Sequence, residues 1–177
     1  MVLSKSKIAN FVLTAMNIRE KGYRLNVGII VANSDGKLLY CKRKKSNNWQ
    51  FPQGGIDKNE DIFLAAQREL YEEVGISKKK IKLIKESNSW YKYDLPSKYK
   101  RNNFLLRDFK GQKQKWFLFK LIEETQINLN NENNPEFDEF NWVDYWKPLE
   151  EIIEFKRDIY EKVLTEFEPH FKKEFSK

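Results

Sequence analysis

With 177 residues the chain is long enough for one domain with a sizeable core, and its 40% hydrophobic residues, which include 13 Phe, 8 Tyr and 5 Trp, argue against disorder. The formal net charge of +7 favours a polyanionic partner such as nucleic acid or nucleotide, although a Lys-rich surface with no binding role gives the same balance. The single cysteine, Cys41, excludes an internal disulfide and fits a reducing cytosol, and no run approaches the roughly 20 apolar residues that span a bilayer.

The first 18 residues are expected to be an N-terminal extension, and residues 19–173 to form one domain, because no repeat, linker or low-complexity segment divides them. The apolar stretch at residues 8–15 faintly resembles a signal peptide, but it is short and lacks a small-residue cleavage site. We favour an amphipathic extension, with translation from Met16 as an alternative. We therefore expect a cytoplasmic protein with no membrane partner and no obligate protein partner.

The first strands are predicted at residues 23–33 and 37–41, two β-rich runs joined by the turn sequence Asn-Ser-Asp-Gly at residues 33–36. The basic run at residues 42–45 follows the second strand. This run is either a clamp for an anionic chain or a solvated loop, and composition alone favours neither.

Residues 54–76 (GGIDKNEDIFLAAQRELYEEVGI) predict a helix preceded by two glycines. Asp57 or Asn59 is expected to cap this helix, since residues 57–60 have the spacing of a capping box. Gly75 is expected to end it as a left-handed residue. The apolar stripe recurs at every fourth position, at Ile62, Ala66, Leu70 and Val74.

Three glutamates, Glu69, Glu72 and Glu73, stand at i, i+3 and i+4, so their carboxylates share one face of this helix. Like charges at this spacing destabilise an isolated helix. Either the face is simply solvated, or it binds a hard cation such as Mg²⁺, which prefers oxygen ligands. The two glycines favour the cation, because they let the backbone approach a ligand closely.

The fixed positions of the stretch are Gly54, Glu60 after five residues, Arg68-Glu69-Leu70 after seven, Glu72-Glu73 after one and Gly75-Ile76 after one more. This pattern resembles the Nudix box, the signature of hydrolases that cleave a diphosphate linked to another moiety. The resemblance implies that the three glutamates ligate divalent metal. It also implies that Arg68 orients the carboxylates by pairing with Glu60.

Beyond the box the pattern is again strand-rich. Strands are predicted at residues 81–87, 90–95, 114–122 and 140–145, and loops at 97–112 and 123–134. A last helix begins near Leu149, carries the stripe Phe155, Ile159, Val163 and Phe167, and is expected to end or bend at Pro169. The predicted fold is mixed α/β (α+β) in one domain, which matches the mixed sheet and α/β/α sandwich of the Nudix fold.

Segments outside the box resemble those of bacterial RNA pyrophosphohydrolases, which are grouped with the diadenosine polyphosphate hydrolases. These segments are residues 22–24, 26–28, 49–55, 111–117, 135–138, 142–143 and 155–158, so the resemblance spans about residues 22–167. It implies conversion of a 5′-triphosphate or diphosphate RNA end to a 5′-monophosphate, with release of pyrophosphate or phosphate, and hence a part in mRNA decay.

The same resemblance implies a divalent metal cofactor, Mg²⁺ first with Mn²⁺ or Zn²⁺ as alternatives, and more than one ion. The implied ligands are the backbone carbonyl of Gly54 and the carboxylates of Glu69, Glu72, Glu73 and Glu136. The implied catalytic set is these four glutamates and Arg68. Glu136 matches a loop glutamate that serves the family as general base or additional ligand, whereas composition alone makes it a solvated loop residue.

Candidates for contact with RNA come from several segments. Arg24, Arg43 and Lys156 are expected to bind phosphate, and Tyr93, Gln112 and Lys115 to line the phosphate pocket. Phe155 is expected either to stack on a base near the 5′ end or to pack in the core. The competing functions are a dinucleoside polyphosphate hydrolase, which needs the same metals, and a non-catalytic RNA-binding module.

Overall fold

The computed structural model describes residues 19–101 and 110–176, so the predicted extension at residues 1–18 lies outside the described residues. The strands are β1 (Arg19–Glu20), β2 (Tyr23–Ala32), β3 (Leu38–Arg43), β4 (Trp49–Gln50), β5 (Gln53–Gly55), β6 (Ile81–Glu86), β7 (Tyr91–Asp94), β8 (Gly111–Leu121) and β9 (Phe137–Val143). The helices are α1 (Ile62–Val74), α2 (Ser97–Arg101), α3 (Lys147–Glu151) and α4 (Glu154–Phe175), and a 3-10 turn covers Lys78–Lys80.

The strands form one mixed sheet with β2 and β8 at its centre. These two strands run parallel in continuous register, from Tyr23 opposite Gly111 to Ala32 opposite Lys120. The strand order is β4-β3-β2-β8-β6, with β5 and β7 added antiparallel to β2 and β8 and with β9 antiparallel to β3. Strand β8 is the buried strand that the dense apolar run of the sequence predicts.

Alternate residues of the central strands enter two separate cores. Ile29 and Phe117 belong to the core that includes α1, whereas Ile30 and Trp116 belong to the core that includes α4. This period of two is what a sheet covered by helices on both faces requires. The predicted α/β/α sandwich is therefore confirmed.

Helix α1 uses the apolar stripe that the sequence predicts. Ala66, Leu70 and Val74 are fully buried, and Ile62 packs against the same core. Gly75 follows in the left-handed conformation, with φ at 73°, and its N–H donates to the Tyr71 carbonyl at 2.9 Å. The predicted end of the helix is therefore correct.

The predicted cap of α1 is wrong. Asp61 caps the helix, because its Oδ1 accepts hydrogen bonds from the N–H groups of Phe63 and Leu64 at 3.0 Å each. The residues with capping-box spacing, 57–60, instead form a turn before the helix. In this turn the Asp57 N–H donates to Glu60 Oε2 at 2.9 Å. Glu60 is thereby fixed ahead of the helix rather than within its first turn.

Three further predictions differ from the structure. Residues 97–101, predicted as loop, form the short helix α2, and β9 begins at Phe137 rather than at residue 140. Helix α4 does not end at Pro169 but continues to Phe175. None of the helices in the described residues combines the length and the apolar character needed to cross a membrane.

Helix α4 continues past Pro169 because its last turns are anchored in the fold. The ring centroid of Phe171 lies 4.5 Å from that of Tyr145 and 4.7 Å from that of Phe175. Glu174 also pairs with Lys120 of β8 at 3.1 Å. These contacts oppose the missing N–H of the proline and the clash of its ring with the preceding turn.

Replacing Pro169 with alanine should stabilise the protein, because Pro169 is exposed and sits inside a formed helix. The gain should be on the order of 2 kcal/mol, since an interior-proline penalty of ~3 kcal/mol is partly offset by the freer unfolded chain. Urea unfolding measures it. The control is Thr165→Ala, at an exposed site one turn earlier in α4. If Pro169→Ala is no more stable than this control, Pro169 does not destabilise the helix.

Candidate active site

A cavity of about 560 Å³ lies where β2, β5, the second half of α1 and the start of α4 approach one another. Ten of the predicted site residues line it: Arg24, Arg43, Gly54, Glu69, Glu73, Tyr93, Gln112, Glu136, Phe155 and Lys156. The first and last of these residues, Arg24 and Lys156, are more than 130 positions apart in the sequence. The fold rather than local sequence therefore brings the set together.

Three predicted residues do not line the cavity, and they differ in where they lie. Arg68 and Glu72 lie close to it, because Arg68 donates hydrogen bonds to both Glu69 and Glu72. Lys115 lies elsewhere, where it pairs with Glu86 at 3.2 Å. The structure therefore does not bring Lys115 to the site.

The Arg68 guanidinium contacts three carboxylates of the acidic cluster, those of Glu60, Glu69 and Glu72. It donates twice to Glu60, from Nε at 2.7 Å and from Nη2 at 2.9 Å, which lowers the pKa of Glu60. Its Nη1 donates to Glu69 Oε1 and to Glu72 Oε2 at 2.9 Å each, and Nη2 also donates to the Gly55 carbonyl. The pairing with Glu60 that the sequence analysis expected is present, and it fixes two further carboxylates.

The two glycines before the helix leave room for charged side chains. A Cβ on Gly54 would lie 1.8 Å from the Glu69 carboxylate carbon, and one on Gly55 would lie 2.3 Å from Nη2 of Arg24. Any larger residue at either position would displace these groups. The glycines are therefore needed so that a carboxylate and a guanidinium can lie directly on the backbone.

Two carboxylates at the cavity are held in an unfavourable environment. Burial raises the pKa of Glu69 to about 7, with Arg68 opposing the rise. Burial, together with the charges of Glu136 and Glu69, raises the pKa of Glu73 well above its usual range. Glu73 is only 8% exposed, and the Gln53 N–H donates to its Oε2 at 3.0 Å. Without a cation the pair therefore favours protonation.

The opposite wall of the cavity is cationic. Arg43 pairs with Glu136 at 3.0 Å, and the Glu136 backbone carbonyl accepts a hydrogen bond from the Lys44 N–H at 2.9 Å. Lys156 is nearly buried, and burial, followed by the charge of Arg43, lowers its pKa to about 7. Arg43 and Lys156 therefore line the same cavity as the carboxylates.

An aromatic wall completes the cavity. The Phe155 ring lies between Tyr93 and Tyr99, with centroids 5.5 Å and 5.2 Å away. Phe155 is half-buried, so it packs on its neighbours and also lines the cavity. Tyr99 was missed by the sequence analysis, because its segment has no clear period, although an aromatic residue in a basic loop was a usable signal.

A buried polar floor was also missed. Gln50, Gln53 and Asn26 line the cavity, and Gln114 lies behind Gln53, where its Nε2 donates to Gln53 Oε1 at 3.2 Å. The segment at residues 49–55 was singled out for its resemblance, but no role was assigned to its glutamines. Their density just before the two glycines was the available signal.

The sequence model of the NUDIX domain matches residues 22–163 of this chain. The chain belongs to the Nudix family. A Nudix relative from Haemophilus ducreyi named RNA pyrophosphohydrolase is 48% identical over 147 residues, which cover 82% of this chain and 75% of the relative. One of the same name from Vibrio cholerae is 47% identical over 147 residues, which cover 82% of this chain and 85% of the relative.

Solved structures agree on the Nudix fold. The E. coli dihydroneopterin triphosphate pyrophosphohydrolase matches with a TM-score of 0.63 at 20% identity, over 82% of this chain and 99% of that chain. A C. elegans Ap4A hydrolase binary complex matches with a TM-score of 0.57 at 16% identity, over 79% of this chain and 96% of that chain. At these identities the likeness establishes the fold alone.

Nudix hydrolases generally use divalent metal ions, and the donor set of this cavity fits such an ion. Its acidic side chains, Glu69, Glu73, Glu132 and Glu136, offer oxygen donors, and burial raises the pKa of Glu69 and Glu73, a cost that a bound cation would offset. As the side chains stand, no three acidic, His or Cys groups of the described residues are grouped to hold a metal. Arg68 and Arg43 instead neutralise part of the set.

Mg²⁺ should stabilise the protein more strongly as the pH rises. Because the folded pKa of Glu69 is about 7 against an ordinary 4.5, the metal-free fold loses stability as the pH rises through that window. A divalent cation replaces the bound proton, so the gain in Tm on adding Mg²⁺ should grow from about pH 6 to about pH 8. Thermal unfolding with and without Mg²⁺ measures this gain.

The control for this prediction is Glu69→Gln, which removes one titrating group and should reduce the pH dependence of the Mg²⁺ gain. A wild-type gain that stays constant across the same pH range would show that Mg²⁺ does not replace a proton at this cluster.

Proposed function

We propose that this Nudix protein is an RNA 5′-pyrophosphohydrolase. It converts a 5′-triphosphate or diphosphate RNA end to a 5′-monophosphate and releases pyrophosphate or phosphate, which would promote mRNA decay. Relatives that bear this name are 48% and 47% identical over most of the chain. The observation that carries the proposal is the cavity itself, which sets a cationic wall and an aromatic wall in front of buried carboxylates.

The cationic wall would bind and orient the phosphate chain. Arg24, Arg43 and Lys156 line one cavity with Glu69 and Glu73, so phosphate oxygens held by the cations would lie beside the acidic cluster. Arg guanidinium groups suit phosphate oxygens because they donate in a planar fork. Tyr93 and Gln112, joined by a 2.7 Å hydrogen bond, would form the neutral edge of this phosphate site.

The aromatic wall would hold the 5′-terminal region by stacking. Phe155 offers a half-buried ring at the cavity, and Tyr99 extends the same surface. Stacking on aromatic side chains is a common way to hold unpaired RNA bases. A substrate with both a polyphosphate and a base therefore matches the two walls together.

The acidic cluster would hold the metal. Glu69, Glu72, Glu73, Glu136 and the Gly54 carbonyl are the proposed ligands, with Mg²⁺ as the first choice and more than one ion bound. Bound divalent ions supply charge stabilisation on the phosphate oxygens and a more acidic water. Arg68 would hold Glu69 and Glu72 in place, and Glu136 would either join the ligands or accept the proton of the attacking water.

The test of this function is to supply 5′-triphosphate RNA with Mg²⁺ and identify the product. A 5′-monophosphate end with released pyrophosphate or phosphate is expected. Diadenosine tetraphosphate, assayed in parallel, tests the competing substrate, and an overwhelming preference in kcat/KM for the dinucleotide would overturn the proposal. Binding of RNA without turnover of either substrate would indicate a non-catalytic RNA-binding module.

Glu73→Gln should lower kcat by orders of magnitude while RNA still binds. The change keeps the size of the side chain but removes a buried negative charge from the proposed metal site. Single-turnover kinetics and a binding measurement without turnover separate the two effects. Near-wild-type turnover would remove Glu73 from the mechanism.

Arg43→Ala should weaken RNA binding and reduce the slope of log affinity against log salt by about 1, as expected for one lost phosphate contact. The measurement is a salt titration of RNA binding. Arg157→Ala is the matched control, because Arg157 is exposed and its Nη1 donates to the Leu149 carbonyl. An unchanged slope in Arg43→Ala would mean that Arg43 contacts no phosphate.

A further inference from the structure

Gln50 occupies a position that packing alone does not explain. Its side chain is 2% exposed, and its Oε1 accepts a hydrogen bond from Lys156 Nζ at 2.9 Å. Its Nε2 is buried and has no hydrogen-bond partner among the described residues. A buried amide donor without a partner is destabilising, so an apolar residue of similar size would serve the core equally well or better.

The partner of Gln50 is an ammonium whose charge is not cancelled by direct pairing. Lys156 is 5% exposed, and its hydrogen-bond acceptors in the described residues are two neutral amide oxygens, Gln50 Oε1 and Gln53 Oε1, the second at 3.2 Å. Its Nζ also lies 5.7 Å from the ring centroid of Tyr93. Neutral acceptors fix the position of the ammonium and leave its positive charge available to an anion.

Gln50 is itself held rigidly. It pairs with Cys41 across β3 and β4, and the N–H of the next residue, Phe51, donates to the Tyr160 hydroxyl at 2.9 Å. Lys156 and Tyr160 are one helical turn apart on α4. Gln50 of β4 and the next residue, Phe51, therefore hold two successive turns of α4, one at the wall of the cavity and one in the core.

We propose that Gln50 is a positioning residue that fixes the Lys156 ammonium at the cavity wall, where its charge meets the phosphate chain of the substrate. Gln50 does not touch the substrate itself, since its Nε2 is inaccessible and its Oε1 is taken by Lys156. This role rests on the proposed function, because it assumes that the anion in the cavity is the substrate phosphate chain.

The kinetic test uses Gln50→Met in the full chain, a change that keeps length and removes both polar atoms. KM for 5′-triphosphate RNA should rise about tenfold, the effect of losing one hydrogen bond to a charged group, while kcat changes little. Tm should stay near that of the wild type, because the lost hydrogen bond is offset by the loss of the unpartnered donor. Gln126→Met, an exposed glutamine outside the cavity, is the matched control.

A double-mutant cycle links the effect to Lys156. Lys156→Met should raise KM by itself, and adding Gln50→Met to it should raise KM no further. If Gln50→Met multiplies KM by the same factor with and without Lys156, or lowers Tm and kcat together, Gln50 has only a structural role and the proposal fails.

A measurement without substrate separates this proposal from the proposed function. The Cε signal of Lys156 in ¹³C-labelled protein, assigned by its loss in Lys156→Met, should titrate at lower pH in Gln50→Met, because an oxygen acceptor stabilises the ammonium form. The charged and titratable groups around Lys156, namely Arg43, Glu73, Glu136 and Tyr93, are the same in both proteins. An unchanged midpoint would overturn the role of Gln50, whereas a wild type inert toward RNA would overturn the proposed function alone.

Discussion

Burial of carboxylates, with repulsion added to it, is the constraint on which this site depends. Burial is the largest cause of the raised pKa of both Glu69 and Glu73, and the charges of Glu136 and Glu69 raise the pKa of Glu73 further. The protein reduces this repulsion with two guanidinium groups, Arg68 behind the cluster and Arg43 in front of it. A neutral residue at any of these positions would remove the free-energy cost of ionising a buried carboxylate. Three carboxylates at these positions are therefore best explained by a cation that binds there.

The sandwich places these opposing charges because the site lies where both helical layers reach the same end of the sheet. Helix α1 brings the acidic cluster from one face, and the first turn of α4 brings Phe155 and Lys156 from the other. The parallel pair of β2 and β8 supplies the floor between the layers, including Asn26 and Gln112. The stable central strands thus fix the distance between the carboxylates and the cations.

Features set by local spacing could be predicted from the sequence, and features set by tertiary contacts could not. The stripe of α1 and its end at Gly75 follow from periodicity and from the freedom of glycine, so both were correct. The Asp61 cap was missed because Arg68, eight residues beyond Glu60, holds the Glu60 carboxylate before the helix begins. Lys115 resembles a site residue in its motif, yet the structure pairs it with Glu86, away from the cavity.

The ion pair between Arg43 and Glu136 shows how the proposed ligands would depend on one another. Arg43 Nη2 lies 3.0 Å from Glu136 Oε1, so each group partly neutralises the charge that the other would offer to a phosphate or a metal. A divalent cation that takes Glu136 would release Arg43 towards the phosphate chain, and a phosphate that takes Arg43 would release Glu136. Metal and substrate would therefore each lower the free-energy cost of binding the other, as linkage requires when two ligands break the same contact.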